Sequence, residues 1–163
     1  MDNALLRISG LKLRIGKATP VDGLDLTVDS NELVSLVGAS GSGKTLTALA
    51  IAALLPTDIE VASGSIELEG KELIGLPEAE LRHVRGKRIG MIFQEPMTSL
   101  NPVMNIGEQI AEGLRLHSGL NRGDALKKAE DLLREVSVPE PRDRLRAWPH
   151  QLSGGLRQRV MIA

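Results

Sequence analysis

One run of eight residues, Gly38-Ala39-Ser40-Gly41-Ser42-Gly43-Lys44-Thr45, narrows the folds open to this chain more than any other feature. It matches the pattern G-x-x-x-x-G-K-[ST] in full. Leu33-Val34-Ser35-Leu36-Val37 enters it, short and mostly apolar, and reads as a strand covered on both faces. An Ala/Leu-rich segment leaves it and reads as a helix through about Leu55, ending before Pro56. Each part of such a loop has a physical task. Glycines admit positive φ and let the backbone approach a polyphosphate. Successive N–H groups form an anion nest at the positive end of the helix. Lys44 supplies a point charge for the β- and γ-phosphates, and the Thr45 hydroxyl can ligand Mg2+. The pattern points to ATP or GTP binding and leaves the reaction open.

The rest of the chain divides by texture. Residues 5–15 alternate apolar and polar with a slip near Gly10, and read as one or two strands. Thr19, Pro20 and Gly23 suggest a turn, and Leu24, Leu26 and Val28 a half-buried strand. Residues 64–68 and 89–93 read as further strands, with a short helix over 78–85 between them. From residue 94 helical spacing takes over. Ile106, Ile110 and Leu114 share a helix face. Asn121 can cap a helix whose apolar set is Ala125, Leu126, Ala129, Leu132, Leu133 and Val136, ended by Pro139 and Pro141. Ser153 can cap a last helix. A β-rich half, 1–93, thus precedes a helical half, 94–163. The cluster Arg82, Arg85, Lys87, Arg88 reads as a solvated surface.

Composition removes several function classes. With 20 Lys and Arg against 21 Asp and Glu, the net charge of −1 argues against nucleic-acid or membrane-surface binding by bulk charge. Phe93 and Trp148 are the only aromatic residues, too few for stacking on single-stranded bases. The absence of cysteine rules out disulfides and thiolate chemistry. No apolar run approaches the ~20 residues of a membrane helix. The opening Met1-Asp2-Asn3 leads into no signal peptide, so a cytoplasmic location is expected.

A second constellation, Leu152-Ser153-Gly154-Gly155-Leu156-Arg157-Gln158-Arg159, opens a helix with a serine and two glycines, another phosphate-friendly helix start. With the loop at 38–45 and with Gln94 after an apolar stretch, it comes in the order of the ATP-binding-cassette (ABC) ATPases, which the chain resembles over essentially its whole length. Met91-Ile92-Phe93-Gln94-Glu95-Pro96-Met97-Thr98-Ser99-Leu100-Asn101-Pro102 and Ile106-Gly107-Glu108-Gln109-Ile110 are similar to the oligopeptide, dipeptide and nickel importer branch. So is Trp148-Pro149-His150-Gln151 before the Ser-Gly-Gly run.

The resemblance implies an α/β fold: a P-loop NTPase with a RecA-like ABC core, N-terminal antiparallel β strands and a helical subdomain, as a partial nucleotide-binding domain over 1–163. It implies ATP and Mg2+ as cofactors. Gly38, Ala39, Ser40, Gly41, Ser42, Gly43, Lys44 and Thr45 would hold the nucleotide. Ser153, Gly154, Gly155 and Gln158 would meet the nucleotide of a second ABC subunit, identical or paralogous. Lys44 and Gln94 would be catalytic, and Thr45 and Gln94 would face the metal. The implied partners are that subunit and integral membrane permease subunits, whose coupling helices would dock on residues 97–150. That places the protein on the inner face of the cell membrane, with no nucleic-acid partner.

The chain also departs from the family. The Walker B strand, with its Asp and Glu, and the switch His follow the signature in the family, and no apolar run ending in Asp-Glu occurs here. His83, His117 and His150 lie upstream of the signature and do not match that switch. A fragment that hydrolyses little or no ATP alone is therefore expected. Lys12-Leu13-Arg14-Ile15-Gly16 lacks the aromatic ring that usually stacks on adenine, leaving Arg14 or Ile15 to pack on the base. Leu156, where many relatives carry Gln, fits the peptide-type branch. Two other readings compete: a soluble ABC ATPase without membrane subunits, and a P-loop kinase acting on a small metabolite.

Overall fold

The computed structural model describes residues 4–93 and 99–163. They form two compact units, one running up to Arg85 and the other from Gly86. The break falls earlier than the change of texture at residue 94.

The first unit is built on a four-stranded antiparallel sheet. Strands β1 (Ala4–Ile15), β2 (Ala18–Asp29), β3 (Ile59–Leu68) and β4 (Lys71–Glu72) lie in the order β2-β1-β3-β4. Alternation along the central strand buries Ile8, Leu11 and Leu13. Leu13 sits opposite Val21 on one side and Val61 on the other, and Ile8 opposite Leu26 and Ile66. The slip near Gly10 is a β-bulge, with register shifts after Ile8 toward β2 and after Ser9 toward β3. The Gly10 N–H, released from the ladder, donates to Asp25 Oδ1 at 2.7 Å. The hairpin turns at Gly16 and Lys17, since Ile15 pairs with Ala18, and not at Thr19–Gly23. Pro20 lies within β2 because β2 is an edge strand, where a missing N–H is tolerated. Helices α1 (Lys44–Ile51) and α2 (Glu78–Val84) complete this unit.

Two expected strands do not form. Residues 32–39 and 90–93 carry no ladder, and Leu33 and Val37 are 93% and 90% exposed. A strand covered on both faces needs partners on its flanks, and the antiparallel sheet offers none to either segment.

The second unit is helical: α3 (Ile106–Ser118), α4 (Arg122–Glu135), α5 (Pro141–Arg144), a 3-10 turn (Pro149–Gln151) and α6 (Gly154–Ile162). Asn105 and Asn121 cap α3 and α4, their Oδ1 atoms accepting from the N–H groups of Glu108 and Asp124 at 2.9 and 3.0 Å. The buried Ala111, Ala125 and Ala129 let helices approach closely, and Ile106, Leu133, Val138, Leu152 and Val160 form the core. The helix α4 stops at Glu135, ahead of the prolines, and Ser137 adopts φ +57°. No described helix is long and apolar enough to cross a membrane.

Candidate functional site

The phosphate-type loop belongs to the first unit. Residues 38–42 are exposed, and Gly43 begins the burial. Gly43 adopts φ +86°, and a Cβ there would lie 2.7 Å from both the Pro20 carbonyl oxygen and Val21 Cγ2. Only glycine fits both the turn and the approach of β2. The helix α1 starts at once with Lys44. The buried Thr47 hydroxyl donates to the Gly43 carbonyl at 3.0 Å, locking the loop's last peptide to the first helical turn. A cleft of about 380 Å³ runs beside the loop, bordered by Val21, Asp22, Val37, Gly38, Ser42 and Lys44.

The Lys44 ammonium folds back over the loop. Its Nζ donates to the Gly38 and Ala39 carbonyls at 2.8 and 2.7 Å and to Ser42 Oγ at 3.2 Å. All three ammonium hydrogens thus have acceptors within the loop. An incoming anion would exchange these bonds without having to create the loop's shape. Thr45 is exposed beside Lys44 and offers a hydroxyl oxygen. Among the described residues no cluster of His, Asp or Glu could hold a metal alone. A single hydroxyl oxygen such as that of Thr45 is a hard donor of the kind Mg2+ takes, and it could supply only one of that ion's ligands. Of the residues offered to a base, Arg14 lies 3.4 Å from Glu60, and Ile15 is half-buried beside the hairpin.

The serine-glycine run belongs to the second unit. Ser153 caps α6, its Oγ accepting from the Leu156 N–H at 3.4 Å. Leu152 and Val160 are buried on either side and anchor the helix. Arg157 Nε donates to the Pro149 carbonyl at 2.8 Å, and Arg159 Nη1 to the Ser137 carbonyl at 2.5 Å. Gly154, Gly155 and Gln158 are exposed, and nothing lies within 4 Å of a Cβ placed on either glycine. Packing among the described residues does not require these glycines. Gln94 lies outside the described residues.

Several residues with defined tasks were not singled out by the sequence reading. Arg85, expected to be solvated, binds the Ala52 and Ala53 carbonyls and the Glu78 carboxylate. The Gln109 amide donates to the Asn101 and Met104 carbonyls and accepts from the Asn101 N–H, tying the turn before α3 to that helix. Gly107 donates to the Leu145 carbonyl at 2.8 Å, and a Cβ there would sit 2.9 Å from that oxygen. Gln109 and Gly107 stood inside a quoted motif. Arg85 stood in a basic cluster, where spacing separates no member from its neighbours.

The family model described as ABC transporter matches residues 21–163. The oligopeptide transport ATP-binding protein OppD of Salmonella typhimurium is 44% identical over 99% of this chain and 49% of its own length. Its namesake from Haemophilus influenzae is 47% identical over 99% of the chain and 51% of its own length. The chain thus spans about half the length of these curated relatives. Among solved structures, a dimeric post-hydrolysis state of the ATP-binding cassette MJ0796 bound to ADP and Pi superposes with a TM-score of 0.82 at 25% identity, covering 96% of this chain and 67% of that one.

Proposed function

The chain belongs to the ABC transporter family, and from that premise we propose that the full-length protein is the ATP-binding subunit of an importer for peptides or a related solute such as nickel. In this reading the backbone of Gly38, Ala39, Ser40, Gly41, Ser42 and Gly43 wraps the nucleotide phosphates. Lys44 exchanges its loop acceptors for phosphate oxygens, and Thr45 and Gln94 face Mg2+, which offsets phosphate charge when bound. Ser153, Gly154, Gly155 and Gln158 meet the nucleotide held by a second subunit. Two such contacts, related by a two-fold axis, close one dimer. Closure then drives permease subunits on the inner face of the membrane, and hydrolysis resets it. The oligopeptide relatives support the importer branch over a soluble ATPase.

The observation that carries this reading is the pairing, in one chain, of a glycine loop closed on the Lys44 ammonium with an exposed, serine-capped helix tip free of side-chain bulk. Nucleotide titration of the full-length protein tests the first part: Lys44→Ala should bind ATP at least about tenfold more weakly, the loss of one charge-assisted contact. Ser153→Arg tests the second part. It should leave ATP binding to the monomer intact and abolish ATP-dependent dimerisation, measured by sedimentation. A P-loop kinase would be indifferent to the Ser153 change. Co-purification with integral membrane subunits separates an importer from a soluble ATPase.

A further inference from the structure

The helix that follows the phosphate loop is gripped at its ends. Of the eight residues of α1 only Thr47 and Ala50 are buried, and both are small. At the first turn, Gly43 fits against Pro20 and Val21 with no room for a Cβ. At the other end, the Arg85 guanidinium donates from Nε to the Ala52 carbonyl at 2.9 Å and from Nη2 to the Ala53 carbonyl. Its Nη1 donates to both carboxylate oxygens of Glu78 at 3.1 Å, which fixes the plane of the fork from the side of α2. The Arg85 side chain is 25% exposed, so this network is partly shielded from water. Ala53 adopts φ +52°, the left-handed conformation of a helix cap: the Ala53 and Leu54 N–H groups donate back to the Ala50 and Leu49 carbonyls at 3.0 and 2.8 Å, and the next carbonyls, of Ala52 and Ala53, are those Arg85 binds. A cation there also faces the negative pole of the helix.

We propose that Arg85 is a positioning residue for the phosphate loop: by clamping the Ala52 and Ala53 carbonyls just past the end of α1 it fixes the axis of the helix whose first residue is Lys44. A helix of eight residues is a rod about 12 Å long, so releasing one end changes the direction of the other. The clamp needs a planar fork that reaches two carbonyls and a carboxylate together, which a lysine ammonium cannot reproduce. This inference rests on the reading of residues 38–45 as a nucleotide site.

The test is equilibrium titration of the full-length protein with ADP in Mg2+ buffer, comparing wild type, Arg85→Lys, Arg85→Gln and Lys44→Ala. It is run well below each variant's unfolding midpoint, with folding checked by circular dichroism. Arg85→Lys keeps the charge and the stem, so it carries the test if Arg85→Gln does not fold. The expected result is about tenfold weaker ADP binding in folded Arg85→Lys, the worth of one charge-assisted bond. Faster amide exchange in residues 46–54 should accompany it. A merely stabilising arginine would lower the melting temperature and leave the affinity alone. Affinity within about twofold of wild type in folded Arg85→Lys therefore overturns the proposal, since that is below the worth of one such bond. If Lys44→Ala also bound ADP like wild type, the nucleotide reading itself would fail, a separate outcome.

Discussion

Gly41 and Gly43 share a left-handed backbone, at φ +80° and +86°, but not the same surroundings. Nothing lies within 4 Å of a Cβ on Gly41, whereas one on Gly43 meets the Pro20 carbonyl and Val21 at 2.7 Å. Gly41→Ala should therefore cost only the left-handed penalty, about 1–2 kcal/mol. Gly43→Ala adds a collision with backbone that cannot swing aside, and should cost clearly more. Thermal denaturation of the two variants checks the order, and equal losses would show that Gly43 is not held against β2. The loop pattern names both glycines without ranking them, because the difference lies in what β2 brings to one of them. Arg85 was illegible for the same reason: its carbonyl partners sit 32 and 33 positions away along the chain.

The elements most legible in the sequence were those whose ends are set by near neighbours. Asn121 and Ser153 cap α4 and α6 as their spacing predicts. In α4 the cap is reciprocal, since Asn121 Nδ2 donates back to Asp124 Oδ2 at 2.7 Å. That bond, with Lys127 next in effect, holds the Asp124 carboxyl below the ordinary carboxylate range. A carboxyl whose pKa is lowered by folding contributes stability above its unfolded-state pKa and loses it as pH falls through the folded value. The stability gap between wild type and Asp124→Asn should thus be widest near neutrality and close in acid, as urea titrations across that range would show. At the tip of α6 the expectation reverses. Alanine at position 154 or 155 has room, and should gain up to about 1 kcal/mol in helix propensity. If the tip meets a partner's nucleotide, the same changes should weaken ATP-dependent association. A variant that is more stable and equally associative would detach those glycines from the proposed site. Strands at 33–37 and 89–93 were misread because apolar content is local while a ladder is not, and the flanks such strands need are absent from the sheet that forms.

Across the whole molecule, the exposed apolar segment 33–37 has the larger physical consequence. Leu33 and Val37 present apolar surface on a stretch that joins no ladder among the described residues, a combination that invites edge-to-edge association. The 163-residue chain should self-associate with rising concentration, and replacing both residues by lysine should shift its sedimentation toward the monomer. Unchanged association would mean that another surface is responsible. The division into two units also has an optical corollary. Phe93 and Trp148, the chain's only aromatic rings, both fall after Arg85, so the unit that carries Lys44 contains no intrinsic chromophore beyond its peptide bonds. Ultraviolet emission from this chain therefore originates in the second unit, and the phosphate loop carries no fluorophore of its own until a label or a tryptophan is introduced beside it.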